Sequence, residues 1–89
     1  MNIRKIGVIG SGTMGNGIAH VFAQSGFDVS LMDIQQAFLD KGLATISKNL
    51  DRQVKKEKIS ENDKGEILAR LTTTTELTDL QDCDFVVEA

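Results

Sequence analysis

Three glycines in the pattern Gly10-Ser11-Gly12-Thr13-Met14-Gly15 constrain this chain more than any other feature. They follow an apolar run rich in β-branched residues, Ile3 to Ile9. They open a stretch in which Met14, Ile18, Val21 and Phe22 recur at helical spacing until Ser25-Gly26. A strand that stops at glycines and continues at once as a helix is the first half of a parallel strand-helix-strand unit. Each motif glycine has a task in such a turn. Gly10 permits the tight bend, Gly12 lets the backbone approach a pyrophosphate, and Gly15 lets the helix lie close to the sheet. An anion seated there meets N–H groups at the helix N-terminus, with Ser11, Thr13 and Met14 as the intervening contacts. Gly17 reads as a further close-packing glycine and not as a ligand contact.

A glycine triplet alone also occurs in ordinary turns, so the residues downstream of it carry the weight. Phe27 to Met32 forms a second short apolar strand that ends in Asp33, 18 residues beyond Gly15. A carboxylate at that point accepts hydrogen bonds from the ribose hydroxyls of an adenosine. A 2′-phosphate would meet a like charge with no Arg or Lys adjacent in sequence, so NAD(H) is expected in preference to NADP(H). The competing reading is that Asp33 only caps the helix after it.

Beyond Asp33 the pattern departs from a minimal unit. Leu39, Leu43, Ile46, Leu50 and Val54 mark one stripe of a helix of about twenty residues. Ser60-Glu61-Asn62-Asp63 resembles a capping box, which starts another helix running to about Arg70 with Ile67, Leu68 and Leu71 inward. The two helices are expected to fold back as an antiparallel pair. A third strand is expected over Leu71 to Glu76, then a short helical turn over Leu77 to Cys83 and a fourth strand over Asp84 to Ala89. The expectation is an α/β, Rossmann-type doubly wound parallel sheet of order 3-2-1-4, truncated after the fourth strand, with a helical-pair excursion between strands 2 and 3.

Composition narrows the functional classes. No apolar stretch is long enough for a bilayer span, and no signal-peptide pattern comes after Met1, so a cytoplasmic protein is expected. The single cysteine, Cys83, reads as a buried or half-buried structural thiol, with no companion for a disulfide or metal site. The net charge is -3, yet Lys41, Lys48, Arg52, Lys55, Lys56 and Lys58 put six of the ten basic residues between positions 40 and 58. That local basic segment fits an anionic small molecule. Nucleic acid is a poorer match, given a pI near 5.0 and few aromatics.

Three stretches together resemble a known family: I-G-V-I-G-S-G-T-M-G-N-G-I-A at 6 to 19, K-N-L-D-R-Q-V-K-K-E-K-I at 48 to 59, and D-F-V-V-E-A at 84 to 89. They are similar to the N-terminus of the 3-hydroxyacyl-CoA dehydrogenase family, in its bacterial short-chain, 3-hydroxybutyryl-CoA form. The resemblance covers essentially the whole chain. It implies NAD as cofactor and hydride transfer at C3 of a short-chain acyl-CoA. It also implies that the helical excursion reaches toward coenzyme A, with Asn49, Arg52, Lys55 and Lys56 near its phosphates. Ala89 would lie beside the nicotinamide-side ribose. The bland reading of the basic residues is a solvated helix face.

The same resemblance implies that the catalytic histidine, its glutamate partner and the nearby Ser and Asn lie beyond the fourth strand. Residues 1–89 are therefore expected to be the N-terminal part of the NAD-binding domain, without the C-terminal helical domain that supplies the dimer contact of a homo-oligomeric parent. The 89 residues are expected to be inactive alone. His20 reads as a surface or half-buried helix residue, and Glu88 as a strand end; neither is assigned as a catalytic base. Two alternatives stay open, a non-catalytic nucleotide-binding module and a β-hydroxyacid or 6-phosphogluconate type dehydrogenase.

Overall fold

A computed structural model describes residues 2–89. Four strands, β1 (Lys5–Ile9), β2 (Asp28–Met32), β3 (Leu71–Thr74) and β4 (Phe85–Glu88), form one sheet in the order β3-β2-β1-β4. All three pairings are parallel. Helices α1 (Thr13–Gln24), α2 (Gln36–Lys55) and α3 (Glu61–Ala69) and a 3₁₀ turn (Leu77–Leu80) complete the chain. The strand order and the helical pair expected between β2 and β3 are both present.

Register explains how the two sheet faces differ. Ile6 pairs with Val29 and Val8 with Leu31, and all four are buried. They share one cluster with Ala19 and Ala23 of α1, Leu39, Ile46 and Leu50 of α2, and Ile67 of α3. Full burial of a Leu or Ile contributes roughly 1.5–3 kcal/mol relative to exposure, so this row and the helices over it carry most of the core. In the alternate row Gly7, Ser30 and Thr72 are small or polar, and Val86 of β4 is the apolar member. A Cβ on Gly7 would come within 3.1 Å of Cys83 Sγ and 3.4 Å of Leu80. The 3₁₀ turn and Cys83 thus seat directly on the bare β1 backbone. Cys83 is half-buried as expected, and that burial pushes its thiol pKa up.

Helix α1 packs on the sheet by its small residues. The apolar recurrence at 14, 18, 21 and 22 is not its buried face: Met14 is 69% and Val21 64% exposed, with Ile18 and Phe22 half-buried. The buried stripe is Gly15, Ala19 and Ala23. Small residues at i, i+4 and i+8 bring the helix axis close to the strands, and this close approach excludes the larger side chains from the contact. Gly26, at φ 103°, ends α1 as expected. Arg70 adds a link across the fold by donating to the Ala23 carbonyl at 2.7 Å.

The helical pair conforms to the pattern of its stripe and caps. Leu39, Ile46 and Leu50 are buried, with Leu43 and Val54 half-buried. Helix α2 ends with Glu57 N–H donating to the Val54 carbonyl (2.9 Å) and Lys58 N–H to the Gln53 carbonyl (2.9 Å), a Schellman arrangement. Its left-handed residue is Glu57, at φ 60°, where glycine is usual. The expected capping box starts α3: Asp63 N–H donates to Ser60 Oγ, and the Asp63 carboxylate accepts from Ser60 N–H. Lys64 pairs with Asp51 and ties α3 back to α2. No helix among the described residues is long and apolar enough to cross a membrane.

Candidate functional site

The glycine turn lies where three strand ends converge. Gly10, at φ 99°, donates its N–H to the Met32 carbonyl at the end of β2 (2.7 Å), while Ala89 donates to the Ile9 carbonyl at the end of β1 (2.9 Å). A Cβ on Gly10 would stand 3.1 Å from the Ala89 carbonyl oxygen. Ala89 therefore sits against the turn, at the mouth of the sheet where ligands of open α/β folds collect.

Gly15 is constrained from within the same turn. A Cβ there would lie 1.6 Å from the Gly10 carbonyl oxygen, so position 15 tolerates no side chain. Gly12 is different: its φ is −66°, and an added Cβ would meet nothing within 4 Å. Nothing inside the chain requires glycine at position 12. Gly17 also faces open space, which corrects the close-packing role expected for it.

Helix α1 begins without a side-chain cap. Its first helical bond runs from Asn16 N–H to the Gly12 carbonyl (2.8 Å), so the N–H groups of Thr13, Met14 and Gly15 precede the first intrahelical partner. The contrast with α3, whose first turn is closed by its capping box, is informative. One helix N-terminus is closed by its own sequence, and the other opens onto a cleft.

That cleft encloses about 690 Å³. Its near wall is the turn and α1, with Ser11, Gly12, Thr13, Asn16 and Gly17, and Asp33 closes one end. Its far wall is α2, through Phe38, Lys41, Gly42, Thr45 and Asn49. The Met14 side chain lies outside it, in a shallow apolar groove with Gly17, Ile18, Val21 and Phe22. For Met14 only the backbone N–H belongs to the open helix end.

Asp33 is fixed by the turn rather than by the helix after it. Its Oδ2 accepts from Ser11 N–H (2.9 Å) and Ser11 Oγ (2.7 Å), and its Oδ1 accepts from Ile34 N–H (2.7 Å). The N-cap of α2 is Gln35, so the capping alternative for Asp33 does not hold. The Ser11 N–H first, then the Ser11 hydroxyl, hold the carboxyl below its ordinary pKa. It is an anion at neutral pH. The N–H groups of Ile34 and Gln35 act in the same direction, so both carboxylate oxygens face donors.

The basic candidates divide along α2. Asn49 lines the cleft, and Arg52 reaches back to Asn49 Oδ1 (3.4 Å). Lys55 and Lys56 are exposed at the end of α2, outside the cleft walls. Lys41, which the sequence marks only as part of the basic segment, stands in the same cleft as Asp33. The absence of a basic residue adjacent to Asp33 in sequence is thus not an absence in space. Gly42 is a member of the site that sequence reasoning misses. A Cβ there would lie 3.1 Å from the Ser11 carbonyl oxygen, so this interior helix glycine lets α2 approach the turn. Its only sequence signal is a glycine inside a strongly periodic helix, where it costs about 1 kcal/mol relative to Ala.

His20 lies half-buried between α1 and α2. Its Nε2 is 2.8 Å from Gln24 Oε1 and 3.4 Å from Gln53 Nε2, and Gln24 donates to Gln53 Oε1 at 2.7 Å. Its partners are amides, with no carboxylate to orient it for proton transfer.

Comparison with known proteins gives a consistent picture. The family described as 3-hydroxyacyl-CoA dehydrogenase, NAD binding domain, matches residues 5–89. A 3-hydroxybutyryl-CoA dehydrogenase of Bradyrhizobium diazoefficiens is 52% identical over 86 residues, covering 97% of this chain and 29% of that protein. One from Clostridioides difficile is 47% identical over 96% of this chain and 30% of its own length. The crystal structure of (S)-3-hydroxybutyryl-CoA dehydrogenase from Ralstonia eutropha superposes with a TM-score of 0.97 at 48% identity, over 99% of this chain and 31% of that one. The chain thus spans about three-tenths of the length of these relatives.

Proposed function

Because the chain belongs to the 3-hydroxyacyl-CoA dehydrogenase family, as its NAD-binding domain, we propose that it holds NAD(H) for hydride transfer at C3 of a short-chain acyl-CoA. Position 12 carries this reading. Its glycine answers to no contact within the chain and borders an uncapped helix end, so the space before it fits the close approach of a pyrophosphate. The N–H groups of Thr13, Met14 and Gly15 would receive that group. The Asp33 carboxylate, which lines the end of the cleft, would take an adenosine ribose hydroxyl. Gly10 and Ser11 hold the turn in shape, and Ala89 borders the path toward the nicotinamide end. NAD, once bound, supplies the hydride acceptor or donor.

In this reading Asn49 and Arg52 meet the acyl carrier first, and Lys55 and Lys56 meet its more distant phosphates. These assignments rest on the family resemblance and on the continuity of α2 from the cleft wall to its basic end. The reacting groups would lie in the portion of the family's polypeptide outside these residues. This fits the amide surroundings of His20 and means no turnover by this chain alone. A cytoplasmic, homo-oligomeric whole enzyme belongs to the same reading.

An amide NMR titration with NADH and, separately, NADPH tests it. NADH-selective shifts at Gly12, Gly15 and Asp33 are expected. A well-dispersed spectrum that responds to neither nucleotide would remove the NAD reading. Acetoacetyl-CoA added next should shift Asn49, Arg52 and Lys56; unmoved signals there would remove the carrier assignment alone.

A further inference from the structure

Phe38 is exposed where an aromatic residue gains nothing from the fold. It is 47% exposed and stands outside the hydrophobic cluster and the partly buried residues packed against it. It is also the single large apolar side chain on a cleft otherwise lined by glycines, hydroxyls, amides, Asp33 and Lys41. Lys41 lies three residues further along α2, so the two side chains share one helix face. Its ammonium makes no ion pair among the described residues, and the neighbouring Asp40 accepts instead from Gln36.

We propose that Phe38 and Lys41 form a nucleotide clamp on the α2 wall, the ring against a purine face and the ammonium beside a phosphate. The proposal rests on the NAD reading above and adds the residues that would select the adenosine half. A ribose bonded to Asp33 carries its base into this cleft, and the aromatic ring on the opposite wall offers that base a stacking partner. Aromatic stacking is tolerant of base edge but not of loss of the ring, which separates it from general apolar contact. An adenine could come from NAD or from coenzyme A, and the test has an arm for each.

The chain contains no Trp and no Tyr, so Phe38→Trp introduces a lone fluorophore. ADP-ribose, which lacks the absorbing nicotinamide, is expected to quench the introduced indole. Phe38→Ala is expected to weaken ADP-ribose binding about tenfold, Phe38→Tyr to retain it, and Lys41→Met to weaken it with a shallower salt dependence. Far-ultraviolet circular dichroism checks that each variant is folded. If coenzyme A, and not ADP-ribose, quenches the indole and loses affinity in Phe38→Ala, the clamp stands with the acyl carrier as its nucleotide. If wild type binds ADP-ribose and coenzyme A and Phe38→Ala binds both equally well, the clamp is wrong while the NAD reading survives. If the folded wild type binds neither NADH nor ADP-ribose and Phe38→Ala leaves coenzyme A affinity unchanged, both fall.

Discussion

Asp33 and Ser11 are joined twice through a single carboxylate oxygen, by the Ser11 N–H at 2.9 Å and its hydroxyl at 2.7 Å. The residue expected to choose the cofactor is therefore also the residue that fixes the turn beneath it. Replacing it tests both roles together. Asp33→Asn removes the charge and turns one of the two acceptor oxygens into a donor, which has to face an N–H group of either Ser11 or Ile34. The expected result is a loss of NADH affinity of at least about tenfold and a reduced preference for NADH over NADPH, measured by titration calorimetry. An unchanged NADH to NADPH ratio would refute the specificity argument.

Gly12 and Gly15 should respond in opposite ways. Gly15→Ala drives a methyl into the Gly10 carbonyl, so it should destabilise the fold by about 3 kcal/mol or more along with binding. Gly12→Ala meets open space and should change stability by no more than about 0.5–1 kcal/mol while abolishing measurable NADH binding. Thermal melts beside NADH titrations separate the two. Equal destabilisation by both would show that position 12 is constrained from inside the chain.

The termination of α2 offers a stability gain. A side chain at φ 60° costs roughly 1–2 kcal/mol that glycine avoids, partly offset by glycine's greater freedom in the unfolded chain. Glu57→Gly is expected to raise stability by about 0.5–1 kcal/mol in urea unfolding, with NADH binding unchanged. A lower midpoint would mean that the Glu57 side chain makes a compensating contact.

Acid and base should act on different groups. Asp33, Asp63, Asp82 and Asp84 are all held below the ordinary carboxylate value, Asp84 chiefly by the N–H groups of Arg4 and Lys5. Each stabilises the fold fully above its unfolded pKa, near 3.9, and loses that contribution as pH falls through the lower folded value. The Cys83 thiol is raised by burial, so the unfolded chain releases that proton first and stability declines above about pH 8.5. Lys5 and Lys64 are raised by their Asp82 and Asp51 partners, and their contribution is lost as pH rises beyond about 10.4 through the folded values. Melting temperature should be flat from about pH 5 to 8 and fall outside that window. An unchanged melting temperature at pH 3 would contradict the carboxylate assignments.

Local signals are legible in the sequence where one physical cause dominates. The Ser60–Asp63 box, the Leu39 to Leu50 stripe and the glycine turn each have a single explanation, and each stands where it is expected. Helix α1 misleads because hydropathy and closeness compete there. Met14 and Val21 are the more apolar residues, yet the sheet takes Gly15, Ala19 and Ala23, which let the backbone come near. The α2 wall of the cleft is only partly visible for a related reason. Asn49 and the basic residues stand out by charge and resemblance, whereas Phe38, Gly42 and Thr45 acquire meaning only from the turn that lies across from them.

Gly42 faces the Ser11 carbonyl with no side chain between them, so helix and turn share one joint. The 14 residues from Gly42 to Lys56 carry the basic end about 21 Å beyond it at the usual helical rise. Along that length Ile46 and Leu50 are buried in the core, and Gln53 bonds Gln24 of α1. The helix is thus a fixed spacer: it sets how far apart the two ends of the groove stand, and a ligand that reaches both has to match that span.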